Sequence, residues 1–105
     1  MTLDELNRLV RRAPDGAWNR RTLDEMEEAI IAIDEYLKSL PVGAVLKTGS
    51  LSSTRYDPWT VTKVNEKKYA GFSAYDYGIS SIGMAETMFH NCKATGYPIK
   101  LVKEA

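Results

Sequence analysis

The sequence has one histidine and one cysteine, and they lie close together at His90 and Cys92. If their side chains met, they would form a nucleophile and its base. On a helix, however, residues two positions apart point about 200° apart around the axis, so these two cannot pair with each other. One histidine and one cysteine are also too few for a closed structural zinc site. We therefore expect Cys92 in the core, His90 on the surface, and no bound metal or cofactor.

Other arrangements that carry catalysis are not visible in the sequence. The chain has neither a glycine-rich phosphate loop nor a nucleophile elbow. Asp57 and Asp76 would serve as a carboxylate pair only if the fold joined them, and nothing near either residue indicates that it does. We therefore expect a protein that is not an enzyme.

Acidic side chains cluster on one face of the predicted second helix, opposite its apolar seam, with Ile31 among them. One interpretation is a solvated face with a single stray apolar residue. The other is a protein-docking face with Ile31 as its anchor. Its carboxylates would imitate a phosphate backbone and satisfy the Lys and Arg side chains of a nucleic-acid channel on a larger partner. The candidate residues are Asp24, Glu27, Glu28, Ile31, Asp34 and Glu35.

Tyrosines interleaved with basic residues in the second half offer an alternative site. They resemble in composition a stacking platform for single-stranded RNA or DNA, although no RNP-type motif is present. Aromatic residues are also preferred in the core of a small sheet, so composition alone leaves both roles open. The candidate residues are Arg55, Tyr56, Lys63, Lys67, Lys68, Tyr69 and Tyr75.

Two arginine pairs flank a turn that contains Trp18. Arg11 and Arg12 suit the negative end of a preceding helix. Arg20 and Arg21 are less expected, because cations at a helix N-terminus oppose its dipole. The cluster is either a phosphate site or the junction between two helices. We favour the junction, with Trp18 covering the open end of the helix hairpin.

The elements that position these groups differ between the two halves of the chain. Thr2–Glu5 and Thr22–Glu25 repeat the tetrapeptide TLDE, a capping box that predicts a helix start at each place. The first helix ends near Pro14, and the second carries an apolar seam as far as Leu40. We expect these two helices to form an antiparallel hairpin within residues 1–40.

Residues 41–105 change to short β-branched and aromatic runs. These predict strands at 42–48, 59–64 and 69–75, with a hairpin turn at 65–68. A third helix follows at about 82–94 and ends at Gly96. Its inward residues are Ile82, Ala85, Met88, Phe89 and Cys92. A last edge strand follows Pro98. The predicted fold is therefore a single α+β domain over 1–105, in which the hairpin and the third helix pack on a largely antiparallel sheet.

Composition and charge limit the function classes. Of the 105 residues, 44% are hydrophobic and 27% are charged, which is typical of a globular protein. Residues 1–40 hold 6 basic and 9 acidic side chains, and residues 41–105 hold 8 and 5, which disfavours a uniformly basic nucleic-acid binder. No apolar run suggests a membrane span, and the acidic N-terminus does not resemble a signal peptide. We expect a cytoplasmic protein, and a monomer rather than a coiled-coil dimer.

Together these features favour a non-catalytic protein-binding module. We expect its partner to be a larger host protein or nucleoprotein complex. The class that we expect is a small phage-type inhibitor or adaptor, of the anti-defence or anti-CRISPR kind, and this expectation does not come from any particular residue. The alternative is a single-stranded nucleic-acid-binding domain that uses the tyrosine-rich basic sheet.

Overall fold

A computed structural model describes residues 1–16, 18–49, 59–70 and 78–104 of the chain. The helices in these ranges are α1 (Leu3–Arg12), α2 (Arg20–Ser39) and α3 (Ser81–Thr95). The strands are β1 (Val45–Thr48), β2 (Trp59–Asn65), β3 (Lys68–Ala70) and β4 (Lys100–Lys103). Their order, α-α-β-β-β-α-β, confirms the predicted α+β fold.

The four strands form one antiparallel sheet in the order β3-β2-β1-β4. As predicted, the last strand lies at an edge of the sheet. The predicted hairpin turn joins β2 to β3 through Glu66 and Lys67. The strand predicted at 69–75 is observed at Lys68–Ala70, and the rest of that prediction falls outside the described residues.

The two long helices begin with capping boxes, but only the first is the predicted one. At the start of α1, the Thr2 side chain accepts from the Glu5 amide and the Glu5 side chain accepts from the Thr2 amide. The prediction for α2 was wrong, because its cap is Asn19, which exchanges the same pair of hydrogen bonds with Thr22. The earlier start places Arg20 and Arg21 inside the first turn, where each forms an ion pair four residues ahead, with Asp24 and Glu25.

The third helix begins at the Ser80 cap and ends at Gly96, as its sequence predicts. Gly96 has a φ of 74°, a left-handed conformation that favours glycine at a helix end. The predicted inward residues Ala85, Met88 and Phe89 are buried, but the prediction for Ile82 was wrong: it is exposed, and Met84 is buried. Cys92 is buried, as predicted.

The helices cover one face of the sheet and share one apolar core with it. The helix α3 packs along α2 and against β1 and β3, while α1 contacts both other helices. Leu46 and Val61 face this core from the sheet, and Ile33 and Phe89 face it from the helices. Asn7 of α1 joins the layers at the edge strand, since its side-chain amide both donates to and accepts from the backbone of Ile99 at 2.9 Å.

Lysines from neighbouring elements cap the C-terminal ends of α1 and α2. The Lys93 ammonium donates to the carbonyls of Val10 and Arg11 at 3.1 and 2.9 Å. The Lys63 ammonium does the same at the end of α2, where the Leu37 carbonyl also accepts from the Leu40 amide. It donates to the carbonyls of Leu37, Lys38 and Leu40 at 3.4, 3.2 and 2.6 Å. These bonds fix the end of α1 relative to α3 and the end of α2 relative to the sheet.

Candidate functional site

The exposed arc of α2 carries most of the predicted docking residues. Its opposite arc, which includes Ile30, Ile33 and Leu37, is buried. The exposed members are Asp24, Glu27, Glu28, Ile31 and Glu35, and we call this set the acidic face. Ile31 is 50% exposed, so an apolar side chain is half accessible to solvent and is surrounded by carboxylates.

Asp34 does not belong to the acidic face, so this part of the prediction was wrong. Only 6% of Asp34 is exposed. Its carboxylate accepts a 2.5 Å hydrogen bond from the Ser81 hydroxyl at the start of α3 and pairs with the Lys38 ammonium at 2.9 Å. The carboxylate therefore joins two helices and is not available to a partner. Its position next to the apolar seam explains why it turns inward.

The remaining carboxylates differ in how they are neutralised. Asp24 pairs with Arg20 at 3.6 Å, but both side chains are largely exposed, so this pair contributes little to stability. Within the described part of the chain, no basic side chain lies within 4.0 Å of the carboxylates of Glu27, Glu28 or Glu35. These three carboxylates are therefore free to meet cations on another molecule.

A groove of about 410 Å³ runs beside the acidic face, between α2 and α1. Met1, Leu9 and Ala32 supply its apolar wall, and Ile31 and the acidic residues supply its rim. Arg8 of α1 lines a neighbouring groove together with Glu28, so basic groups border the acidic face on one side. The surface combines negative charge with a small apolar recess.

Two residues of the alternative tyrosine-rich site, Lys63 and Tyr69, are buried in the core. Lys63 is 1% exposed, and its ammonium is occupied by the α2 carbonyls, so the prediction that it contacts phosphate was wrong. Tyr69 is fully buried and its hydroxyl donates to the Leu37 carbonyl at 2.8 Å, so it cannot stack on a base. Burial, with Asp34 and Glu66 nearby, raises the pKa of Tyr69 to about 12.

The other candidates of that site divide into two groups. Lys67 and Lys68 are exposed at the β2–β3 hairpin, where they could meet an anion. Arg55, Tyr56 and Tyr75 lie outside the described residues, as do Asp57 and Asp76 of the possible carboxylate pair.

The arginine junction is helical on both sides, as expected, but Trp18 does not cover it. Trp18 is 74% exposed, so the prediction that it closes the open end of the hairpin was wrong. Arg20 and Arg21 are paired along α2 and point into solvent. The junction is accounted for by helix capping and local ion pairs.

His90 and Cys92 are separated, as their spacing on a helix requires. His90 is exposed, whereas the Cys92 thiol lies 3.2 Å from the Thr48 hydroxyl in the core. Burial raises the pKa of the Cys92 thiol, which opposes formation of a reactive thiolate. Among the described residues, no three His, Cys, Asp or Glu side chains are grouped so that they could hold a metal ion.

Sequence reasoning missed a group of lysines on the strands: Lys47, Lys100 and Lys103. They lie on the sheet face that turns away from the helices. Alternation along β1 was the available signal, because a buried Leu46 requires Lys47 to point to the opposite face.

Comparison with known proteins gives no relative. No protein-family model, no curated protein and no solved structure matches this chain. Within the ranges that the structure describes, no helix is both long and apolar enough to cross a membrane.

Proposed function

We propose that this protein is a non-catalytic protein-binding module whose partner docks on the acidic face of α2. One observation carries the proposal. Ile31 is half exposed between Glu27, Glu28 and Glu35, whose carboxylates have no ion-pair partner in the described part of the chain. An exposed apolar side chain among unpaired charges has the composition of an interface anchor with its polar rim.

The charge of this face indicates the chemistry of the partner. Glu28 and Glu35 lie two helical turns apart, which is about 10 Å along the axis. A rigid row of carboxylates at this spacing would satisfy Lys and Arg side chains that otherwise hold a phosphate backbone. We propose that the partner is a larger nucleic-acid-binding protein or nucleoprotein complex. Its cationic channel would receive α2, and an apolar contact there would receive Ile31.

This mode of action is that of a small inhibitor. A protein that fills a nucleic-acid channel blocks it without chemistry of its own, and needs no cofactor. Phage-type inhibitors, including anti-CRISPR proteins, are the class we propose for it. Electrostatic attraction would also make association fast and sensitive to salt.

The test is affinity capture from a native lysate with the tagged full chain, comparing variants. We expect the double variant Ile31→Asp with Glu28→Lys to lose the protein that wild type retains, because the anchor and one charge contact are removed. A loss of tenfold or more in retained partner corresponds to about 1.4 kcal/mol or more, which one interface anchor can supply.

The matched control makes the same two changes on another helix. Ile82 and Glu86 are an exposed isoleucine and an exposed glutamate on α3, so Ile82→Asp with Glu86→Lys alters composition and charge identically. This control should capture the partner as wild type does. Equal capture by the α2 variant and wild type, with both variants folded by circular dichroism, would show that the acidic face is not the site.

A further inference from the structure

In the described strands, the face of the sheet that turns away from the helices carries positive charge and no negative charge. Leu46 and Val61 are buried against the helices, so strand alternation places Val45, Lys47 and Thr60 on the other side. Val64 and Val102 are exposed there. None of the four strands contains an aspartate or a glutamate.

The lysines of this face lie next to one another across the strands. Lys47 of β1 is directly opposite Lys100 of β4. The pairing shifts by one residue between Val45 and Leu46, and this irregularity sets Lys103 opposite Val45, on the same face as Lys100. Lys68 is exposed on β3, at the other edge of the sheet. Like charges directly opposite each other on a sheet are destabilising. Within the described residues, no carboxylate lies within 4.0 Å of any of these four ammonium groups.

Protection against aggregation explains only some of the lysines on this sheet face. Lysines on an edge strand discourage pairing with other sheets, which accounts for Lys100 and Lys103 on β4. Lys47, however, lies on β1, an inner strand with a neighbour on each side. There it protects no edge, and its charge repels that of Lys100, whose ammonium also lies over the Tyr97 ring, 5.1 Å from the ring centroid. An anion shared by the two lysines would relieve that repulsion.

We propose that this open sheet face, Lys47, Lys68, Lys100 and Lys103, binds the phosphate backbone of a single-stranded nucleic acid. Lysine binds phosphate as a point charge and without the planar fork of arginine, so the contacts would read no sequence. Short Val and Thr side chains between the lysines allow an extended strand to lie flat on the sheet. A broad four-stranded face does not fit the groove of a duplex, which admits a helix or a two-stranded ribbon.

The open sheet face lies on the far side of the sheet from α2, so this site is independent of the acidic face. It also differs from the tyrosine-rich site, because Lys68, Lys100 and Lys103 are exposed and Lys47 is partly exposed, whereas Lys63 and Tyr69 are buried. The two proposals can therefore fail separately.

Fluorescence anisotropy with a 5′-fluorescein-labelled, mixed-sequence RNA of about 12 nucleotides tests the site. Four phosphate contacts on a single strand predict a log–log salt slope of about −2.8, so affinity falls about 50-fold between 50 and 200 mM salt. For the triple variant Lys47→Gln, Lys100→Gln, Lys103→Gln we expect weaker binding and a slope of about −0.7. Its affinity should then fall only about threefold over the same range.

The control removes the same amount of charge at the helix junction. Arg11, Arg20 and Arg21 are exposed, and the variant with all three changed to Gln should bind RNA as wild type does. Thermal melting shows whether each variant is folded, and loss of the Lys47–Lys100 repulsion should leave the lysine variant at least as stable as wild type.

Three results would overturn the proposal. One is no anisotropy change at tens of micromolar protein and low salt. Another is loss of binding in the arginine variant but not in the lysine variant. The third is displacement of the RNA by poly-glutamate of equal charge as effectively as by unlabelled RNA, which would assign the face to acidic polypeptides.

Discussion

The variant Lys63→Met is expected to be less stable than wild type by about 2–3 kcal/mol, because the methionine keeps the apolar stem and removes the ammonium. The carbonyls of Leu37, Lys38 and Leu40 would then lose a charged donor, and hydrogen bonds to charged groups are worth about 1.5–3 kcal/mol. Methionine can form none of these three hydrogen bonds, since its thioether has no hydrogen to donate. Urea unfolding followed by circular dichroism measures the difference, and for a chain of this size the melting temperature should fall by about 10–20 °C.

The matched control for this variant is Lys67→Met at the exposed hairpin turn, where we expect a change within about 0.5 kcal/mol. If Lys63→Met is as stable as this control, Lys63 does not hold the end of α2.

The variant Gly49→Ala is expected to be less stable by about 1–3 kcal/mol, the usual cost of overpacking. A β-carbon at residue 49 would overlap the Thr95 hydroxyl oxygen and would lie 2.9 Å from the Asn91 carbonyl oxygen. The hydroxyl is held in place by its own 2.6 Å hydrogen bond to Asn91, and the carbonyl is helix backbone. Either β1 or the end of α3 must therefore move.

Urea unfolding of two further variants tests whether steric overlap is the cause of the stability loss in Gly49→Ala. Adding Thr95→Ala to Gly49→Ala should recover part of the stability, because it removes the closer of the two contacts. Gly83→Ala makes the same substitution inside α3, where the nearest atom would be 3.4 Å away, so we expect no loss and a gain of up to about 1 kcal/mol from helix propensity. Unchanged stability of Gly49→Ala would mean that β1 and α3 do not approach as closely as the structure shows.

Local patterns predicted the fold because each acts within a few residues. The capping box at Thr2 and Glu5, the apolar seam of α2 and the glycine stop at Gly96 each follow from short-range hydrogen bonding or helix periodicity. The short turn at 65–68 likewise makes β2 and β3 a hairpin. The predicted start of α2 at Thr22 was wrong because two capping signals overlap there. A cap at Asn19 makes the helix longer and adds two ion pairs, so this start is preferred to the one at Thr22.

The candidate sites were harder to predict, because they depend on where distant elements meet. Lys63 and Asp34 have charges that predict exposure, yet each is buried by a partner from another element: the end of α2 for Lys63, and Ser81 for Asp34. Strand alternation would have placed Lys63 beside the buried Val61, but a lysine is rarely buried unless it is paired. Its partners are backbone carbonyls, which no residue pattern reveals.

The most direct test of the proposed docking face is photocrosslinking at Ile31. The photoreactive amino acid p-benzoylphenylalanine replaces Ile31 in one form of the full chain and Ile82, an exposed isoleucine on α3, in another. Both forms are irradiated in the cells that produce the protein. The proposal predicts one discrete adduct with a nucleic-acid-binding protein from position 31, its loss when Glu28→Lys is added, and no such adduct from position 82. No adduct from position 31, or the same adducts from both positions, would contradict it.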